Sequence, residues 1–206
     1  MKKGGMILPV LALTLALTGC SEIRKAQEST VTVDDKGQIT QVLVEDFQEE
    51  IYSKTELEES VSGLVEAYNE EAGSQAVTLD SCKVKDEEAR VILKYASDED
   101  YREFNLVDFF AGTVEEAVNE GYSFACDFQD AGGQAVASGT VPDGCREAHV
   151  MIVREPVCVM ASGQILYASS NMEILDESRA RLVSDTGIEE ENAQVSTDAY
   201  GYVIYQ

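Results

Sequence analysis

From Thr30 to Ala96 the chain alternates short runs of β-branched and apolar residues with tight polar turns, and one long stretch in between breaks into a helical period. This pattern constrains the fold more than any other feature. Strands joined by turns of a few residues pair antiparallel, whereas a parallel sheet needs a long crossover between strands. Thr30–Val33 and residues 39–47 flank Asp34-Asp35-Lys36-Gly37 and read as one hairpin. Residues 77–84 and 89–96 flank Asp86-Glu87-Glu88 and read as a second, in which Val91, Leu93 and Tyr95 alternate with Arg90 and Lys94. Such alternation marks a half-buried strand. Between the hairpins, Leu57, Val61, Leu64, Val65, Tyr68 and Ala72 share one face of a helix over residues 55–72. Thr55 with Glu58 supplies a capping-box pattern at its start, and Gly73 a stop at its end.

The second half continues in short elements. Residues 97–104 read as a helix with acids in its first turn, and residues 113–120 as another, opened by Thr113 with Glu116 and ended by Gly121. Residues 122–128 read as a strand with Tyr122, Phe124, Cys126 and Phe128 on one face. Residues 132–144, rich in Gly, Ala and Ser, read as a loop with a weak strand at 135–137. Further strands are expected at 150–153, 157–160, 164–168 and 200–205, while 173–181 fits strand and helix equally well. The fold class expected is α+β: a single domain over residues 30–206, built of antiparallel β-hairpins with one long amphipathic helix and two shorter ones.

The first twenty residues, MKKGGMILPVLALTLALTGC, are of another kind. Lys2 and Lys3 precede an apolar stretch from Met6 to Leu17, which is short for a bilayer span of about 20 residues but suits the apolar region of a signal peptide. An ordinary signal peptide shares these features; the ending Leu17-Thr18-Gly19-Cys20 sets this one apart. In it the chain resembles a bacterial lipoprotein precursor, whose lipobox has this form. The resemblance implies that residues 1–19 are a cleaved signal peptide and that Cys20 is the lipidation site, carrying a diacylglyceryl group with palmitate-like chains. It implies a location on the extracytoplasmic face of the cell membrane, with the membrane as partner through that lipid. Residues 20–29 are then expected as a lipidated polar tether. Residues 95–104 and 112–122 also resemble, loosely, segments of small lipoproteins of Gram-positive anaerobes. That likeness implies a location and an α+β architecture, and no catalytic residue.

Charge and composition narrow the chemistry. With 15 Lys+Arg against 39 Asp+Glu the net charge is −24, so the chain has no concentrated basic footprint for nucleic acid. An anionic bilayer would repel such a body over about 8 Å at physiological ionic strength, so the domain is expected to stand off the membrane and touch it through the lipid alone. A single His removes constellations that need two or three imidazoles. Cys82, Cys126, Cys145 and Cys158 read first as free core thiols, most clearly Cys126 and Cys158; two disulfides in three connectivities are the alternative. Cys145 and His149 are the one Cys/His pair close in sequence, but an extended chain keeps them apart, and His149 reads as a half-exposed strand residue.

The acidic clusters Asp34-Asp35, Asp86-Glu87-Glu88, Asp98-Glu99-Asp100 and Glu189-Glu190-Glu191 could offer oxygens to calcium, but none has the EF-hand spacing, and turns and first helical turns account for them. Gly132-Gly133 and Gly139 lack the Gly-Lys-Ser/Thr ending of a phosphate loop. Tyr200 and Tyr202 would share a strand face, either packing in the core or stacking on a sugar or partner protein. The reading is a non-catalytic binding or envelope-scaffolding domain, with no catalytic, cofactor or metal residue assigned and an envelope protein or glycan as partner. An envelope enzyme using carboxylates on glycan or peptidoglycan and a weak calcium-binding surface domain are the alternatives.

Overall fold

The computed structural model describes residues 22–48, 53–183 and 199–206. In chain order the elements are β1 (Thr30–Val33), β2 (Ile39–Asp46), α1 (Lys54–Ala72), β3 (Val77–Lys85), β4 (Glu88–Tyr95), α2 (Asp98–Asn105), β5 (Phe109–Thr113), α3 (Val114–Asn119), β6 (Asp127–Asp130), β7 (Ala135–Ser138), β8 (His149–Val153), β9 (Cys158–Met160), β10 (Ile165–Ser169), β11 (Met172–Ile174), β12 (Arg179–Leu182) and β13 (Gly201–Tyr205). They form a seven-stranded sheet in the order β11-β12-β9-β1-β2-β4-β3 and a six-stranded sheet in the order β5-β8-β13-β10-β6-β7. The fold is α+β. Neighbouring strands run antiparallel, except that β1 and β9 are parallel.

One face of each sheet meets the other in the main core. The seven-stranded sheet contributes Val31, Val91, Leu93, Val159 and Leu182, and the six-stranded sheet contributes Phe109, Met151, Val153, Ile165 and Val203. Helix α1 closes part of this core through Val65, with Leu57, Val61 and Tyr68 packed beside it. The other face of the six-stranded sheet is also covered: Val150, Ile152, Tyr202 and Ile204 lie under Val114 and Ala117 of α3, with Phe124 and Phe128. β8 and β13 are therefore buried on both sides, which explains why they read as unbroken apolar runs rather than alternating ones.

The outward face of the seven-stranded sheet carries a smaller cluster, in which Ile23 packs on Val42 and Ile92. Of the stretch expected as a polar tether, residues 22–29 are described. A short 3-10 turn, Ile23–Lys25, places Ile23 at 0% exposure. The segment behind it is pinned: Arg90 Nη1 donates to the Ala26 carbonyl at 2.6 Å, Cys158 N–H to the Ser29 carbonyl at 3.0 Å, and Val44 N–H to Ser29 Oγ at 2.9 Å. One apolar residue in a polar stretch shows no period, so its docking was invisible locally.

Other differences have equally local causes. The cap of α1 is Ser53, whose Oγ accepts from Glu56 N–H at 3.1 Å while the Glu56 carboxylate accepts from Ser53 N–H, and Thr55 lies inside the first turn. Two Ser/Thr-x-x-Glu frames overlap here, and the first has the extended cap backbone. Gly73 ends the helix at φ 65° as expected. Strand pairing begins at Asp127 rather than Tyr122, because residues 122–126 leave the sheet to cover its far face. β5 went unrecognised, since Phe109-Phe110-Ala111-Gly112-Thr113 is too short and too rich in small residues to alternate clearly. The ambiguous stretch 173–181 resolves into the β11–β12 hairpin.

Candidate functional site

Gly121, at φ 94°, ends α3 and turns the chain so that Tyr122 N–H reaches back to the Ala117 carbonyl at 3.0 Å. The Tyr122 ring then lies against Phe110, 5.1 Å between centroids, and meets the edge of Tyr200 at 5.8 Å. Tyr200 immediately precedes β13, and Tyr202 within the strand is buried, its hydroxyl donating to the Ser123 carbonyl at 2.6 Å. Tyr122, Tyr200 and Tyr202, with Arg102 of α2, Glu120, Ser123 and Cys126, line a groove of about 580 Å³.

Polar groups frame the rings. Tyr200 Oη donates to Asp108 Oδ2 at 3.3 Å, and Arg154 Nη1 donates to the same oxygen at 2.9 Å. The Arg154 guanidinium lies 5.6 Å from the Tyr200 ring centre, a cation–π geometry. Burial pushes the Tyr122 phenol up, against a smaller opposing pull from Arg102, and burial pushes Tyr202 up to about 12. Both stay protonated at neutral pH; the Tyr122 hydroxyl accepts from Arg102, and the Tyr202 hydroxyl donates to the Ser123 carbonyl. The Cys126 thiol is raised by burial and by the Asp127 charge to about 11, so it is a poor nucleophile. Half-buried ring faces beside a guanidinium, a carboxylate (Glu120) and hydroxyls can stack on and hydrogen-bond a polyhydroxylated ligand.

No protein-family model, curated protein or solved structure matches the chain.

The other residues singled out in the sequence fall as follows. Cys20 and the cluster Glu189-Glu190-Glu191 lie outside the described residues. Cys82, Cys126, Cys145 and Cys158 are all unpaired thiols. Cys145 is buried beneath α3, whereas His149 is exposed and stacks on Tyr205 at 5.5 Å, so the sheet separates them. Asp34 and Asp130 each accept backbone N–H groups of their own turns, Asp34 from Lys36 and Gln38, Asp130 from Gly132 and Gln134. Gly132-Gly133 thus belongs to the β6–β7 hairpin turn. Asp86 and Glu87 form the β3–β4 turn at positive φ, and Asp100 accepts from Ser97 Oγ at the start of α2. Among the described residues, no group of three or more His, Cys, Asp or Glu is placed to hold a metal ion. The Tyr200/Tyr202 pairing was visible as a strand face, but the contributions of Arg102 and Tyr122 were not, since 98 residues separate Arg102 from Tyr200 and only the tertiary fold joins them.

Proposed function

We propose that the protein is a membrane-anchored extracytoplasmic lipoprotein, held by a diacylglyceryl group on Cys20, whose domain binds an envelope glycan without turning it over. The leader carries the first half of this reading. The tyrosine groove carries the second: Tyr122 and Tyr200 present partly exposed rings over a floor formed by Tyr202, with Arg102 at the rim and Arg154 behind Tyr200. Aromatic faces beside fixed donors suit pyranose rings, whose axial C–H groups stack while their hydroxyls pair.

Mass spectrometry of the chain purified from membranes tests the anchor, with an acylated N-terminal Cys20 expected and its loss in Cys20→Ala. Sedimentation with purified peptidoglycan and wall polysaccharide tests the ligand. Retention is expected, weakened at least about tenfold in Tyr200→Ala, as for an aromatic anchor of a binding site. Failure of the domain to sediment with either polymer would overturn the glycan reading, and release of soluble sugar would overturn the non-catalytic one.

A further inference from the structure

Ile23 is buried on the outward face of the seven-stranded sheet, against Val42 of β2 and Ile92 of β4. Cys20 precedes it by three residues, which span at most about 11 Å when fully extended. A lipid on Cys20 therefore enters the bilayer within about 11 Å of this face, close to the screening length at physiological ionic strength.

Charge is distributed to match. Strand register places Lys83, Lys85, Arg90, Lys94, Arg179 and Arg181 on this outward face, and Arg24 and Lys25 lie on the turn that covers it. Against these eight stand six acids on the same face and segment: Glu22, Glu28, Asp46, Asp80, Glu88 and Glu173. The rest of the described chain carries five Lys or Arg against 26 Asp or Glu. Seven of the face's eight cations pair locally: Arg24 and Lys94 with Asp80, Lys25 with Glu22, Lys85 with Asp86, Arg90 with Glu88, Arg179 with Asp176, and Arg181 with Glu28 and Glu173. With the turn residues Asp86 and Asp176 included the balance is eight cations against eight acids, so the face is close to neutral while the rest of the molecule is strongly acidic. A hollow of about 280 Å³ on it is lined by Lys83, Lys85, Asp86, Glu88 and Arg90. A near-neutral face meets less repulsion from an anionic leaflet than the strongly acidic remainder of the molecule.

We propose that the outward face of the seven-stranded sheet lies against the headgroups of an anionic phospholipid bilayer, pointing the α3 side and its tyrosine groove away from the membrane. The inference rests on the lipid anchor at Cys20. It deepens that reading by assigning the bilayer a protein surface as well as a lipid attachment.

The chain has no tryptophan, so a single introduced one reports its own surroundings. Thr78 is exposed on β3, paired with Lys94 on the outward face, and Glu115 is exposed on α3, on the opposite side of the molecule. Thr78→Trp and Glu115→Trp forms, produced with the leader and purified from membranes, are reconstituted into vesicles of phosphatidylcholine and phosphatidylglycerol containing a headgroup-spin-labelled lipid. Quenching at position 78 is expected to exceed that at 115 several-fold. Equal quenching, or stronger quenching at 115, in protein that floats with the vesicles overturns the orientation and leaves the anchor standing. Protein that lacks acyl mass on Cys20 and does not float overturns the anchor, and the orientation with it.

Discussion

Glu155 is the carboxylate whose surroundings disturb it in the direction opposite to a salt-bridged acid. It follows β8 and accepts the Tyr101 hydroxyl at 2.6 Å, beside Gln41, which donates to Tyr101 Oη at 3.1 Å and accepts from Tyr95 Oη at 2.6 Å. Burial raises its pKa above the ordinary carboxylate value, and the Tyr101 hydrogen bond offsets part of that rise. The folded state thus holds the proton more tightly than the unfolded one. The associated stability is full below the unfolded-state value and is lost as pH climbs through the folded-state value. Glu155→Gln keeps an acceptor for Tyr101 and removes the charge. It should raise Tm at pH 7, by an amount that shrinks as the pH is lowered, and leave Tm unchanged at pH 4. A lower Tm at pH 7 would show that the charge itself holds the network. Gly201 is a second residue-scale constraint. A Cβ there would collide with Met172 Sδ and crowd Leu182 Cδ1 at 2.9 Å, so Gly201→Ala should cost about 1–3 kcal/mol by urea denaturation.

At the scale of elements, local chemistry explains most starts and stops. The Thr113–Glu116 capping box opens α3 as its sequence announces, and Ser97 caps α2 by accepting from Asp100 N–H. Asp86 and Glu87 both adopt positive φ, which a two-residue hairpin turn demands, although neither is the Asn or Gly usually found there. The 3-10 turn is an element whose stability comes from elsewhere. Its four-residue neighbourhood has no helical length, and Ile23 holds it by burial on β2 and β4. Ile23→Ala should therefore destabilise the domain by about 2–4 kcal/mol, the range for a fully buried aliphatic side chain. Unchanged urea midpoints in that variant would mean that the turn is not part of the cooperative unit.

At the scale of the whole molecule, charge is the dominant asymmetry. A net charge of −24, concentrated away from one sheet face, makes the compact state repel itself, and salt screens that repulsion. Thermal scans should show Tm rising between low salt and about 0.5 M NaCl, where the screening length falls to roughly 4 Å. A fall would indicate that the ion pairs on the outward sheet face outweigh the general repulsion. The same distribution orders the proposed functions in space, with the lipid and the neutral face on one side and the tyrosine groove towards the other.

How much of this was written locally can be judged residue by residue. The alternation of Val91, Leu93 and Tyr95, the apolar stripe of α1 apart from Leu64, which is 63% exposed, its Gly73 stop, and the Thr113 cap are each set by neighbours within a few positions, so fold class and most elements followed from sequence. So did the net charge and the lipobox-like leader. The joining of β1 to β9, the double burial of β8 and β13, the docking of Ile23, and the meeting of Arg102, Tyr122 and Tyr200 depend on contacts between residues far apart in the chain. Their physical cause is the packing of two sheets, in which a side chain's face is decided by what covers the strand and not by the strand's own sequence. The sequence by itself determined what the elements are and how acidic the surface is. Only the tertiary structure decided which face is left neutral and which aromatic residues form a groove.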